Sequence, residues 1–357
     1  MTAASVSGAL MERLGISLPI IQAPMAGVST PSMAAAVSEA GGLGSVGVGA
    51  TDAAGMRSMV AAIRERSNRP FNVNLFTHRP AVRDAAVEAA WIERLRPEFA
   101  AFGAEPPKAL GEIYKSFAED EEMMAVLLEV RPSIVSFHFG VPAPARIRAL
   151  RSAGITLLGS ATNLSEARQL ASAGIDAIVA QGYEAGGHRG VFDPEAPDER
   201  LGTMALTRLL ARSLAVPVIA AGGIMDGAGI AAVLKLGAAA AQLGTAFIAS
   251  PESSADAGYR AALFSEAAHH TVITRAISGR PARALSNRFT ALGATIPPHE
   301  IPAYPVTYDA GKALNAAAKA AGEAGFGAQW AGQGAPLARA LPAGELVATL
   351  AAELARA

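Results

Sequence analysis

The chain has 357 residues, of which 51% are apolar and 17% charged, with a formal net charge of −1. That composition supports a large buried core, excludes disorder, and, without a basic run, offers nothing to nucleic acid or an anionic membrane surface. Cysteine is absent, which removes disulfides, thiolate nucleophiles and cysteine-ligated metals together.

Residues 1–17 lack a basic stretch followed by an apolar block, and no apolar run reaches spanning length, so the chain reads as a soluble, cytoplasmic protein. Short apolar runs then alternate with longer amphipathic ones. Strands are predicted at 18–25, 42–49, 71–76, 133–140, 156–161, 177–182, 217–223 and 240–247. Most are too apolar to be half-exposed, as expected of parallel strands covered by helices. Helices are predicted between them at 32–40, 53–66, 143–152, 164–172, 203–211 and 226–236. The blocks 149–158 and 169–179 look alike, each a helix, then Ala-Gly-Ile, then a strand. This rhythm predicts an α/β fold, a TIM (β/α)8 barrel with a mostly helical cap. The cap is expected from an insertion after the third strand and from the C-terminal region. In that division residues 1–77 and 132–249 form the barrel, and 78–131 and 250–357 the cap and substrate pocket, because loops at the C-terminal ends of barrel strands build the active site.

The strand ends carry the chemistry. The first strand finishes Gln22-Ala23-Pro24-Met25-Ala26-Gly27, either a tight turn or a backbone surface for a flat ligand. In the third, Asn72 and Asn74 share one face, and a buried amide needs a partner, from the barrel or from a ligand. His138 ends the fourth strand between two aromatics, as a core residue or a site residue. The sixth runs into Gln181-Gly182-Tyr183-Glu184-Ala185-Gly186-Gly187-His188-Arg189-Gly190, a loop that presses its backbone on a ligand while aiming His188 at it. Two histidines at this face favour proton chemistry or stabilisation of developing negative charge. The seventh and eighth strands end at Gly222-Gly223 and Gln242-Leu243-Gly244-Thr245, where barrels commonly bind phosphate through backbone N–H groups. Further on, Pro305 suits the first turn of a helix, which sets Tyr308 and Lys312 four apart on one face. The alternative there is an ordinary amphipathic helix with a snorkelling lysine.

These blocks resemble the nitronate monooxygenase family (formerly 2-nitropropane dioxygenases), first class, which are FMN-dependent barrel enzymes. The resemblance rests on residues 22–44, on 72–78 (NVNLFTH), and on 136–140 (SFHFG) with 159–167. It rests also on 181–190 (QGYEAGGHRG), which with 22–44 is shared with flavin-dependent reductases of the same superfamily, and on 304–312, which with SFHFG is more discriminating; it spans about residues 18 to 312. It implies that Ala23, Pro24 and Met25 line the isoalloxazine of FMN and that Asn74 and Gln181 hydrogen-bond it. Gly186, Gly222 and Gly223 would crowd the ribityl-phosphate side, with Gln242, Leu243, Gly244 and Thr245 closing around the phosphate. His188 would be the catalytic base with His138 nearby, and Tyr114, Tyr259, Tyr304, Tyr308 and Lys312 would line the substrate pocket. No metal site is expected.

The implied activity is oxidation of alkyl nitronates by flavin and O2 without NAD(P)H, giving a carbonyl compound and nitrogen oxides, in a detoxifying role. Propionate 3-nitronate is the substrate that gives Lys312 a carboxylate to recognise. The partners implied are a small nitronate and O2, with no nucleic acid and no membrane, for a monomer or homodimer. An FMN-dependent NADH:quinone or enoyl-thioester reductase of the same superfamily is the alternative enzyme, and a flavin-binding protein without turnover the non-enzymatic one.

Overall fold

Alternation along each strand decides which side chains reach the middle of this protein. The computed structural model describes residues 3–357. Its strands in chain order are β1 (Ile20–Gln22), β2 (Gly44–Gly47), β3 (Phe71–Phe76), β4 (Ile134–His138), β5 (Thr156–Ala161), β6 (Ala177–Gln181), β7 (Gly187–His188), β8 (Val218–Ala221), β9 (Ala240–Leu243), β10 (Thr271–Thr274) and β11 (Ala282–Leu285). Eight of them pair in parallel in the order β1-β9-β8-β6-β5-β4-β3-β2. A parallel bridge between Ile21 and Leu43 joins the two edges, so the sheet closes into a TIM barrel. In β4, Val135 and Phe137 point outward to the helices while Ile134 lies in the interior, and Ser136 and His138 climb the same inner face to the mouth. In β6, Ile178 and Ala180 likewise face outward, and Val179 and Gln181 face in.

The crossover helices start where a short polar side chain satisfies a free backbone N–H. Asp52, Asn163 and Asp226 cap helices Ala53–Arg64, Leu164–Ser172 and Gly227–Lys235 by accepting from Gly55, Glu166 and Gly229. Each cap is worth about 1 kcal/mol. The helix Val306–Ala320 begins one residue after Pro305, which caps it, and carries Tyr308 and Lys312 one turn apart as the spacing predicts.

Three features differ from the sequence expectations. Residues 1–17, given no element, include the helix Ala3–Leu14, whose Leu10 and Leu14 plug the barrel's lower end against Ile21, Leu43, Ile134, Leu158 and Ile219. The last barrel strand stops at Leu243 rather than 247, because Gly244 turns the chain into the short helix Thr245–Ile248. Within the segments 78–131 and 250–357 assigned to the cap, two helices pack in the barrel's outer ring. Helix Glu121–Val130 packs on Ala53–Arg64 and Pro144–Ser152, and helix Ala343–Leu354 packs on Gly227–Lys235 and Pro31–Glu39. Their stripes of Met123, Met124 and Leu127, and of Leu346, Val347 and Leu350, are buried in the layer between sheet and helices. Over the mouth remain the helices Ala85–Ala101 and Val306–Ala320, with their own apolar core, and the antiparallel sheet β10-β11-β7. Among the described residues no helix is long and apolar enough to cross a membrane.

Candidate active site

A cavity opens at the C-terminal ends of the barrel strands. It collects Ala23, Pro24, Met25, Asn74, Gln181, Gly186, Gly222, Gly223, Gln242, Gly244 and Thr245 from the barrel. His138 and His188 join them, with Tyr114, Tyr259, Tyr304 and Tyr308 overhead. Two residues singled out in the sequence do not line it. Leu243 alternates with Gln242 and buries its side chain on the outer side of β9. Lys312 is exposed on the cap, and its ammonium lies 4.7 Å from the Tyr114 ring centre and 5.6 Å from that of Tyr308. The lysine therefore reaches the cavity through an aromatic wall.

At the floor the backbone is drawn close by glycine. Gly222 and Gly223 have φ of 119° and 70°, a region open to glycine at little cost. A Cβ on Gly222 would meet the Thr203 hydroxyl at 2.8 Å, and one on Gly186 would meet the Gly332 nitrogen at 2.5 Å. Glu184 ties this corner together, accepting from the Thr203 N–H at 2.8 Å, while the Thr203 hydroxyl donates to the Gly222 carbonyl at 2.8 Å. The other wall is apolar at Ala23, Pro24, Met25 and Val179 and polar at Asn74, Ser136 and Ser160. Among the described residues no lysine, arginine, aspartate or glutamate lines the cavity. A flat, amphipathic ring system with one anionic tail fits this cradle: small residues for the ring face, amides for its edge, and glycine N–H groups for the tail.

Gln181 is already occupied by the protein. Its Nε2 donates to the His188 carbonyl at 2.9 Å and its Oε1 accepts from the Gly190 N–H at 2.7 Å, which pins the histidine loop to the end of β6. His138 approaches the same carbonyl, with Nε2 at 3.3 Å. His188 itself sits on β7, paired with Ala282 of β11, and its Nε2 lies 2.8 Å from the Ser278 hydroxyl. The His188 ring meets Trp330, Tyr304, Phe139 and Tyr308 at centroid distances of 5.1, 5.4, 5.7 and 6.2 Å. The Tyr304 hydroxyl is buried and, among the described residues, has no hydrogen-bond partner. Burial keeps all four tyrosines protonated by raising their pKa values. The Tyr259 hydroxyl donates its proton to the Trp330 carbonyl, which leaves those of Tyr114, Tyr304 and Tyr308 as donors.

Several contributors were not foreseen. Trp330 lines the cavity and its Nε1–H donates to the Tyr308 hydroxyl at 3.3 Å. The one signal for it was a tryptophan set among glycines in Trp330-Ala331-Gly332-Gln333-Gly334. Phe139 holds φ of 79°, a left-handed conformation that costs roughly 1–2 kcal/mol for a residue with a Cβ. That bend sets its ring 4.4 Å from His138 and beneath the Arg280 guanidinium, 4.3 Å away. Arg280 is 4% exposed and, among the described residues, has no carboxylate partner. Burial lowers its pKa only to about 10, so it remains charged at neutral pH.

Burial dominates the three neighbouring imidazoles. His188 is pushed down to about 3 and His138 and His78 to about 4, in each case first by loss of water; the charge of Arg280 lowers all three further, and His138 and His78 also lower His188. All three are neutral at pH 7. Since the folded values lie below the ordinary 6.5, the stability they contribute is complete above pH 6.5 and is lost as pH falls through about 4. For His78 alone this is on the order of 3 kcal/mol. Unfolding temperatures should therefore fall between pH 6.5 and 4, and His78→Gln should flatten that fall. An identical slope in the variant would refute the assignment.

The comparisons with known proteins agree with this geometry. The nitronate monooxygenase family profile matches residues 7–353. A nitronate monooxygenase from Paraburkholderia phytofirmans is 63% identical over 354 residues, covering 99% of this chain and 97% of that protein. One from Pseudomonas aeruginosa is 56% identical over 343 residues, covering 96% and 97%. Among solved structures, nitroalkane oxidase from Streptomyces ansochromogenes superposes with a TM-score of 0.90 at 44% identity, covering 98% of each chain. FabK from Thermotoga maritima superposes with 0.73 at 30% identity, covering 98% of this chain and 96% of that one. With a barrel mouth of glycine cradle, histidine pair and tyrosine wall, the chain belongs to the nitronate monooxygenase family.

Proposed function

We propose that this oxidoreductase holds FMN in the glycine cradle and oxidises alkyl nitronates with O2, with propionate 3-nitronate as the substrate that fits best and detoxification as its role. The observation that carries the reading is that His188, Tyr114, Tyr304 and Tyr308 line the same cavity as the glycine cradle, with the His188 ring against those of Tyr304 and Tyr308. The flavin, when bound, supplies the electron acceptor and the site at which O2 is reduced. The chain's own residues bind, orient and deprotonate. A nitronate is an anion, and the tyrosine hydroxyls, Tyr304 above all, present donors to its oxygens. Two cations stand one ring away, Arg280 behind Phe139 and Lys312 behind Tyr114 and Tyr308. They favour a negative ligand without forming an ion pair that would trap it. For a neutral nitroalkane, His188 is neutral at pH 7 and so holds a lone pair for the α-proton. The aromatic wall of Phe139, Tyr304 and Trp330 keeps water from that pair.

The purified protein should be yellow, should release FMN on heating as judged by mass, and should lose its visible absorbance on anaerobic addition of propionate 3-nitronate. FAD, or bleaching by NADH in place of the nitronate, overturns this reading. The second result identifies an NADH:quinone or enoyl-thioester reductase.

A further inference from the structure

A histidine that stays neutral through the working pH range has one remaining variable, the nitrogen that carries its proton. In His188 that choice is built into the cap. Ser278 is fully buried in the turn between β10 and β11, and its hydroxyl lies 2.8 Å from His188 Nε2. The turn is rigid: the Ser278 and Gly279 N–H groups both donate to the Arg275 carbonyl, at 3.2 and 2.7 Å. Gly279 has φ of 94°, and a Cβ there would meet the Tyr304 nitrogen at 2.6 Å, so the turn is seated against the tyrosine segment with no slack.

The Ser278 hydroxyl has one proton and two acceptors within reach, His188 Nε2 and, at 3.3 Å, the Arg280 carbonyl. Among the described residues no other group donates to that carbonyl, which belongs to a residue only 4% exposed. If serine donates to the imidazole, the carbonyl is left buried and unpaired. If the imidazole donates to serine and serine to the carbonyl, every group is satisfied. The relay therefore runs from His188 Nε2–H to Ser278 Oγ–H to the Arg280 carbonyl. Among the described residues Nδ1 has no hydrogen-bond partner, and the ring lines the cavity.

We propose that Ser278 fixes the tautomer of His188, holding the proton on Nε2 and leaving Nδ1 as the nitrogen that removes the α-proton of a neutral nitroalkane. This rests on His188 serving as base in the function proposed above. In the step, the α-C–H bond breaks and its electron pair delocalises onto the nitro group, giving the nitronate. The proton bonds to Nδ1, and the imidazolium keeps Nε2–H on Ser278. Nothing is oxidised or reduced until the nitronate meets the electron acceptor. The titratable groups facing His188 are His138 from β4, His78 just beyond β3, Tyr304 and Tyr308 from the cap, and Arg280. Ser278 thus positions the base without touching the substrate.

Long-range 15N–1H correlation spectra of the histidine-labelled holoenzyme test this directly, with His188→Asn identifying the His188 signals. The expected pattern is that of a neutral ring protonated at Nε2; protonation at Nδ1 overturns the proposal. Ser278→Ala should give a mixed pattern and lower kcat for nitroethane by roughly 10- to 100-fold, the range for a lost partner that orients an imidazole. Ethyl nitronate turnover should stay within about twofold, and Ser278→Thr, which keeps the hydroxyl, should restore nitroethane turnover. An unchanged spectrum in Ser278→Ala, or equal losses with both substrates, also overturns it. Should His188→Asn leave nitroethane turnover intact, the base assignment fails, while the wild-type spectrum still decides the role of Ser278.

Discussion

Replacing His188 with Asn should lower kcat for neutral nitroalkanes by roughly 10²- to 10⁴-fold, the range of a general base. Turnover of pre-formed nitronates should stay within roughly tenfold of the parent enzyme. The contrast arises because only the neutral substrate carries a proton to be removed, and an amide has no basic nitrogen to take it. The fold around residue 188 should survive, since Gln181 and His138 hold its backbone carbonyl rather than its ring. Its pairing with Ala282 is also a backbone matter. Stopped-flow assays with nitroethane and ethyl nitronate, at matched flavin content, read out the two cases. Equal losses would mean that the ring binds the nitronate or the flavin and takes no proton.

The second large effect belongs to the glycine cradle. Gly222→Ala forces a side chain onto φ of 119° and drives its Cβ to 2.8 Å from the Thr203 hydroxyl and 3.0 Å from the Ala185 nitrogen. Overpacking with backbone strain costs roughly 1–3 kcal/mol. The movement that relieves it displaces the loop bearing Gly186, so bound flavin should be lost along with stability. Gly244→Ala separates the two consequences. There φ is −107°, and the new Cβ would touch only the Ala23 side chain at 3.4 Å and the Met25 sulfur at 3.7 Å, both at the cavity floor. That variant should melt near the parent temperature and yet bind flavin poorly. Flavin occupancy and unfolding temperature measured together decide the matter; normal flavin content in Gly222→Ala would show that the anionic tail lies elsewhere.

What was legible in the sequence follows the period of two. Each barrel strand announced itself as a short apolar run, and each strand's inward set was readable once its last residue was known. That is why Asn74, His138 and Gln181 were found. The same rule, applied at Leu243, would have turned its side chain outward; motif adjacency placed it in the site instead. Glycines at Gly222 and Gly223 were legible because their backbone conformations exclude other residues at little cost. Ser278, Arg280 and Trp330 were not legible. Each reaches the site from the cap across ninety or more residues of sequence or through a ring, and no local pattern encodes such a contact. Lys312 was legible as part of a helix face, but sequence spacing cannot tell a side chain that enters a cavity from one that rests on the outside of its wall. The helices Glu121–Val130 and Ala343–Leu354 were not read individually: their segments were assigned whole to the cap because they fell outside the strand rhythm, and an apolar stripe shows that a helix is covered without saying by what.

The two-residue strand β7 has a consequence for traffic. It joins His188 to the cap's sheet through Ala282 while Gln181 joins the same residue to the barrel. A cap that swung away as a hinged lid would have to break this ladder and would take the base with it. Access to the cavity therefore falls to rotations of individual side chains in the aromatic wall rather than to excursions of a domain. Amide protons of β7 and β11 should accordingly exchange with solvent as slowly during turnover as at rest.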